Sequence, residues 1–97
     1  MGDRIRELRI ENNMLLKQLA SLLELDPSII SKVEHGERMI KKDYIPKLAE
    51  VLYADEDELI SLWLSDQIYE IIKGKKQALN ALKLVINKIA SDIDKNK

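Results

Sequence analysis

The sequence has few of the residues on which catalytic and metal-binding chemistry depends. Its 97 residues include no Cys, one His and three scattered glycines. Without Cys the chain forms neither disulfides nor thiolate metal sites, and a lone His is no basis for a metal site. Scattered glycines build no glycine-rich phosphate loop, and the paired acids fit helix caps better than acid–base catalysis. We therefore expect no enzyme activity, no metal and no cofactor.

Long hydrophobic runs and a secretory leader are also missing. No apolar run reaches membrane-spanning length, and the charged start Met1–Arg4 does not resemble a signal peptide. Arg6 stands where a myristoylation pattern requires Ser or Thr. A content of 34% charged and 45% hydrophobic residues is typical of one folded domain with a solvated surface. These features predict a cytoplasmic protein with no membrane partner.

The stretch from Leu16 to Gly36 has the pattern of two short helices joined by a tight turn. The first helix has one apolar stripe at i, i+3, i+4 and i+7, formed by Leu16, Leu19, Ala20 and Leu23. Asp26 and Pro27 then supply an N-cap and a first helical residue for the second helix. Gly36 follows as a left-handed cap, so the pattern predicts a second helix between Pro27 and Gly36.

The second of these helices has two chemically different sides. At about 100° per residue, its inner side consists of Ile30, Val33 and Glu34. Its outer side consists of Ser28, Ser31, Lys32 and His35. A helix that is anchored from behind and presents a polar side, after a helix and a short turn, is the layout of a helix-turn-helix reader of DNA.

Three runs of the sequence contain the core, cap and turn residues: Ile5–Arg9, Leu19–Ala20 and Pro27–Arg38. Together these runs resemble the Xre family, the Cro and phage-repressor type of helix-turn-helix protein, over roughly residues 4 to 62. The resemblance implies an all-α fold, a lambda-repressor-like five-helix helix-turn-helix domain, to which this chain adds a C-terminal helix. Beyond residue 62 the chain is similar to small bacterial regulators, some of them restriction-modification controllers. We expect a DNA-binding domain over 1–65 and a dimerising helical extension over 66–97.

The resemblance and the helix geometry place the DNA contacts on the reading helix and its surroundings. Lys32 can donate to guanine O6 and N7, whereas serine hydroxyls pair with several bases and specify little. His35 matches a family position that meets phosphate, and cations in the following loop position the protein without choosing sequence. The alternative is that this side of the helix is merely solvated. The expected contacts are Lys17, Ser28, Ile29, Ser31, Lys32, His35, Arg38, Lys41 and Lys42.

The resemblance also implies an ion pair between Arg9 and Glu34 beneath the reading helix. An inward Glu requires a partner because desolvation penalises the charge; the alternative is two solvated charges. The sequence departs from the family pattern at two places. Leu15 and Leu16 replace a Ser or Thr cap and a Gln that in relatives touches phosphate or base. Glu24 replaces the usual Gly after the second helix, so we expect mild strain there.

Other helix boundaries follow from caps and breaks. A first helix runs from about Asp3 to Asn12, and Asp43 is placed to cap the fourth helix, with Pro46 in its first turn. Asp55 and Glu58 have the spacing of a capping box at the start of the fifth.

The net charge of −1 is an objection to DNA binding, because nucleic-acid modules are commonly basic. The distribution of charge lessens that objection. Cationic side chains cluster on and beside the reading helix, whereas the acidic run Asp55–Glu58 starts a later helix. We therefore expect a basic face on a neutral body, with weak non-specific affinity for DNA.

The C-terminal third has more apolar residues than one small domain requires. Between Leu59 and Ile72 apolar residues occur on almost every side. Gly74 ends that helix, and a further helix from about Gln77 to Ile93 has coiled-coil-like 3-4-3-4 spacing but is too short to be stable alone. We expect a homodimer contact formed by Leu62, Trp63, Ile68, Tyr69, Ile72, Leu79, Leu82, Ile86 and Ile89.

These observations together predict a homodimeric transcriptional regulator that binds double-stranded DNA at a roughly palindromic operator. Members of the resembled family often act as repressors, although the resemblance does not decide between repression and activation. No ligand domain is evident, so we expect no small-molecule effector. The alternative is a protein-interaction module, or an antitoxin, that uses the same fold.

Overall fold

The computed structural model describes residues 1–95. No strand occurs among these residues, which form six α-helices and one short 3-10 helix at Lys42–Tyr44. The α-helices are α1 (Gly2–Glu11), α2 (Leu16–Leu22), α3 (Pro27–Glu34), α4 (Ile45–Leu52), α5 (Glu56–Ile72) and α6 (Ala78–Lys95). The predicted all-α fold with an additional C-terminal helix is therefore confirmed.

Contacts along the backbone divide the chain into two units. The N-terminal unit is Met1–Asp66 and the C-terminal unit is Gln67–Lys97, so the division falls within α5. The first unit contains the whole predicted helix-turn-helix segment. The second contains the last part of α5 and all of α6.

The N-terminal unit has one hydrophobic core to which each of its five α-helices contributes. α3 packs against both α1 and α2, and α4 packs against α1. The apolar stripes predicted from helical spacing point into this core because burying them removes apolar surface from water. Its largest fully buried side chains are Ile5, Leu19, Ile30, Ile45, Leu48, Leu52 and Leu59.

The ends of α3 have the predicted caps, whereas those of α4 and α5 differ from prediction. Asp26 accepts a hydrogen bond from the Ser28 backbone N–H at 2.8 Å, and Gly36 has a φ of +74°. Asp43 does not cap α4, because it lies inside the 3-10 helix that precedes it, and Tyr44 is the N-cap. That prediction was wrong: a 3-10 turn occupies the place where the cap was expected.

The predicted capping box of α5 is only half present. Asp55 Oδ1 accepts the Asp57 backbone N–H at 3.0 Å. Glu58 does not complete the box, because its carboxylate instead accepts a hydrogen bond from Arg4 Nε at 2.7 Å. The tertiary ion pair between α1 and α5 thus replaces the local hydrogen bond that Glu58 would make in a capping box.

Three non-glycine residues of the N-terminal unit have left-handed backbone conformations. Glu24, for which strain was expected, has a φ of +56°; Asn13 has +52° and Tyr53 has +53°. Each ends a helix or the turn after one, where a glycine would be free of the Cβ clash. Tyr53 gave no sequence signal, because aromatic residues rarely adopt this conformation.

In the C-terminal unit, α6 follows a turn at Gly74, which has a φ of +70°. No side chain among residues 67–95 is fully buried; Ile72, Ala78, Ala81 and Leu82 are half-buried. Nine large apolar side chains of this unit are 41% to 74% exposed: Ile68, Tyr69, Ile71, Leu79, Leu84, Val85, Ile86, Ile89 and Ile93. No helix within residues 1–95 is long and apolar enough to cross a membrane.

Candidate nucleic-acid interface

The inner side of α3 is held firmly in the core. Ile30, Val33 and Glu34 are each no more than 4% exposed. Asp26 and Pro27 fix the start of the helix, since the carboxylate caps it and the proline needs no hydrogen-bond partner at the first position. The backbone of α3 therefore has little freedom to rotate, and its opposite side has a defined orientation.

The outer side of α3 is open to solvent. Ser28, Lys32 and His35 are exposed, and Ser31 is half-buried, as is the flanking Ile29. The side chains that the sequence assigned to base edges thus share one accessible surface of a rigidly anchored helix.

His35 has a more local role than the sequence suggested. It is the C-cap of α3, and its ring Nδ1 lies 2.7 Å from the Ser31 carbonyl oxygen. A protonated Nδ1 donates a second hydrogen bond to that carbonyl, which already accepts the His35 backbone N–H at 3.1 Å. The ring nitrogen Nε2 is left for any contact with a phosphate.

The structure brings Arg9 and Glu34 together beneath α3. Arg9 Nε lies 2.7 Å from Glu34 Oε2, and Arg9 Nη2 lies 3.0 Å from Oε1, so the pair is bidentate. Arg9 Nη1 also donates to the Met14 carbonyl oxygen at 2.9 Å. The hydrogen bond to Glu34 raises the pKa of Arg9 above its ordinary value. The ion pair links α1 to α3 and compensates a carboxylate that is otherwise buried.

The start of α2 lacks a capping hydroxyl, and a side chain that sequence reasoning missed compensates in part. Leu15 is the N-cap and makes no side-chain cap bond. Gln18 Oε1 accepts the Leu15 backbone N–H at 2.7 Å. The signal was present, since Gln at the third helical position is half of a capping box. Lys17 is exposed on the same helix.

The loop between α3 and α4 is cationic and anchored at one point. Arg38, Lys41 and Lys42 are exposed, while Ile40 is buried at 4% exposure. Trp63 Nε1 donates to the Ile40 carbonyl oxygen at 2.7 Å. The anchor holds the loop beside α3, so the three cations stay near the reading helix.

The side chains predicted for a dimer contact have different surroundings. Leu62 and Trp63 pack against the core of the N-terminal unit. Their apolar surface is partly used within the chain, which the sequence prediction did not include. Ile72 and Leu82 are half-buried. The other five are exposed: Ile68, Tyr69, Leu79, Ile86 and Ile89.

The N-terminal unit is acidic, which corrects the expectation of a neutral body. Residues 1–66 contain nine Lys and Arg against fourteen Asp and Glu, a formal charge of −5. Residues 67–97 contain seven against three, a formal charge of +4. The whole-chain charge of −1 misjudged the first unit because the +4 of the second unit offsets most of its −5. Glu37 and Asp43 are exposed among the loop cations.

A helix buried on one side, open on the other, and preceded by a helix and a tight turn defines a helix-turn-helix protein. A family model described as a helix-turn-helix domain matches residues 2–63, well over half of the chain. The chain therefore belongs to the helix-turn-helix domain family. Searches of curated proteins and of solved structures found no match.

Proposed function

We propose that the protein is a sequence-specific transcriptional regulator of the Xre type that binds a two-fold symmetric operator as a homodimer. One observation carries the proposal: the outer side of α3 is accessible while its inner side is buried and clamped by the Arg9–Glu34 pair. A helix so presented fits the major groove of DNA.

Base recognition is assigned to α3. Lys32 is the main determinant because its ammonium can donate to both acceptors of a guanine. Ser28 and Ser31 accept from or donate to several bases and sharpen the preference only modestly. Ile29, on the flank of the helix, is placed to contact a thymine methyl group.

Phosphate contacts are assigned to the cations around α3. Arg38, Lys41 and Lys42 follow the DNA backbone from the anchored loop, and Lys17 adds a contact from α2. His35 contributes through Nε2 or its main chain. Because the N-terminal unit carries −5, we expect weak non-specific binding. The phosphate contacts themselves predict a steep loss of affinity with salt.

The homodimer is assigned to the C-terminal unit. Its exposed apolar side chains require a covering surface, and a second copy supplies one symmetrically. Two reading helices related by a two-fold axis then enter successive major grooves about 34 Å apart. A dimer bound across a promoter in the bacterial cytoplasm represses by excluding other proteins from the same DNA.

Selection of bound sequences from random DNA tests the proposal directly. We expect an enriched motif with two-fold symmetry and half-sites one helical turn apart. The same selection with Lys32→Ala should change the preferred base in each half-site. If the wild-type chain enriches no sequence at low salt, the proposed regulator is wrong.

The charge of the N-terminal unit favours one second candidate, a protein-interaction module or antitoxin with the same fold. A unit of −5 is repelled by DNA and attracted to a basic partner. A gel shift with genomic fragments at low salt separates the two functions. A stable complex with another protein and no specific shift would favour the interaction module.

A further inference from the structure

α6 has a wide apolar side that its own chain leaves largely uncovered. Leu79, Ile86, Ile89 and Ile93 are 53% to 74% exposed, and Leu82 is half-buried. These five side chains recur at 3-4-3-4 spacing, which is the seam of a pair of packed helices. An isolated helix of 18 residues is marginal in water. The seam therefore needs a partner surface.

Charged side chains flank this seam in a regular pattern. At about 100° per residue, Lys83 and Asp94 lie within about 20° of each other along one edge. Asp92 lies about 100° from the middle of the seam, along the other edge, whereas Lys88 lies about 140° from it, on the far side of the helix. All four are exposed, and no ion pair within residues 1–95 includes any of them. One edge thus has a lysine nearer the start of the helix and an aspartate nearer its end, and the other edge has an aspartate near its end.

We propose that α6 packs antiparallel against α6 of a second copy of the chain. In an antiparallel pair, equivalent edges face each other with their ends reversed. Lys83 then meets Asp94 of the second copy, which gives two pairs of opposite charge. In a parallel pair, Asp94 would meet Asp92 of the second copy, which are like charges and repel, and Lys83 would have no acidic partner. Lys95 lies on the far side from the seam.

The apolar layers fit the same register. With the two-fold axis between residues 87 and 88, Leu82 faces Ile93 of the second copy and Ile86 faces Ile89. At about 1.5 Å per residue, the two Ala78 residues then lie about 28 Å apart along the helix axis. A parallel pair would place them side by side at about 8–10 Å. The antiparallel pair therefore places the starts of the two α6 helices at opposite ends of the interface.

This inference rests on the proposed homodimer and adds its geometry. The test is the dissociation constant of the full chain, measured by sedimentation equilibrium at low salt. Lys83→Glu should weaken an antiparallel dimer about tenfold, because two attractions become repulsions. In a parallel dimer, where Lys83 has no acidic partner, the same substitution should change the constant by less than about twofold. The matched control Lys95→Glu, on the far side of α6, should change the constant by less than about twofold.

A compensating variant and a distance measurement complete the test. Lys83→Glu combined with Asp94→Lys should restore the wild-type constant. Because the chain has no cysteine, Asn80→Cys provides a single site for a spin label on the exposed polar side of α6. The antiparallel register separates the two labelled positions by about 22 Å along the helix axis.

The possible failures are distinguishable. A wild-type chain that stays monomeric, or that associates only with DNA or anionic vesicles, overturns both the antiparallel pair and the homodimer. A dimer that Lys83→Glu leaves unchanged or tightens, or whose labels lie side by side, overturns the antiparallel pair alone. Specific DNA binding is measured independently of all these results, so its loss or retention decides the proposed function separately.

Discussion

The two units of this chain bury their apolar side chains to very different extents. The N-terminal unit encloses its large aliphatic side chains in one core drawn from five helices, although it carries −5. The C-terminal unit has no fully buried side chain among residues 67–95, and nine of its large apolar side chains are exposed. The first unit thus has the buried core that a stable domain requires, whereas the second leaves most of its large apolar side chains exposed.

The largest expected effect is on the stability of the N-terminal unit. Arg9→Ala leaves Glu34 buried without a partner and should lower the free energy of unfolding by about 3–5 kcal/mol. Trp63, the single tryptophan, reports the transition by fluorescence during urea titration. Arg6→Ala, at an exposed position of the same helix, is the control and should change stability by less than about 0.5 kcal/mol. Equal effects of the two substitutions would mean that the ion pair is not needed.

Substitution in the seam of α6 should act on the other unit alone. Ile86→Asp should weaken the dimer at least about thirtyfold, since it places a carboxylate in each copy at a surface that dimerisation buries. The urea midpoint reported by Trp63 at low protein concentration should not change. Asn87→Asp, on the polar side of the same helix, is the control. If Ile86→Asp unfolds the N-terminal unit instead, the two units are not independent.

Two lysines of the N-terminal unit should differ in their effects on DNA binding. Lys32→Ala should cost about 1–3 kcal/mol at the selected operator and change the preferred base. Lys41→Ala should weaken binding to all sequences alike and reduce the salt slope by about 0.9. Competition titrations at several salt concentrations measure both. The reverse pattern would exchange the roles assigned to the reading helix and the loop.

A smaller effect is expected from the left-handed residue after α2. Glu24→Gly should stabilise the N-terminal unit by up to about 1 kcal/mol, because glycine adopts a φ of +56° without a Cβ clash. The gain is limited by the extra freedom of glycine in the unfolded chain. Urea titration followed through Trp63 gives the difference. A loss of stability would show that the Glu24 side chain makes a contact that outweighs the strain.

The smallest effect concerns the cap of α3 and depends on pH. Hydrogen bonds from Ser28 lower the pKa of Asp26 below its ordinary value of 3.8. The folded state therefore binds this proton less readily than the unfolded state, so the cap stabilises the fold above the ordinary pKa and loses its effect as pH falls through the lowered one. Thermal unfolding of wild type and Asp26→Ala should differ at pH 7, and the difference should shrink as pH falls below 3.8. A difference that does not depend on pH would contradict this charge effect.

Much of the N-terminal unit could be predicted because local rules and the core agree there. Apolar spacing located α2 and α3, and Asp26, Pro27 and Gly36 marked the ends of α3. The errors occurred where tertiary contacts compete with local ones. Glu58 pairs with Arg4 instead of completing a capping box, and no local pattern contains that partner.

The interface was harder to predict than the fold for a related reason. Tryptophan is enriched at interfaces. The Trp63 indole nevertheless donates to the Ile40 carbonyl oxygen and so holds the loop within its own chain. Nothing in helical periodicity distinguishes an apolar side chain that covers its own core from one that covers another molecule. Charge likewise becomes informative only once the division near Asp66 is known, because the two units have opposite signs.

Native mass spectrometry of the full chain with a duplex carrying the selected site tests whether the N-terminal unit binds DNA while the C-terminal unit forms the dimer. We expect two copies of the chain on one duplex for the wild type. Ile86→Asp should give complexes with one copy, since each N-terminal unit still reads a half-site. A wild-type chain that binds as a single copy would contradict the role of the C-terminal unit, and one that forms no specific complex would contradict DNA reading by α3.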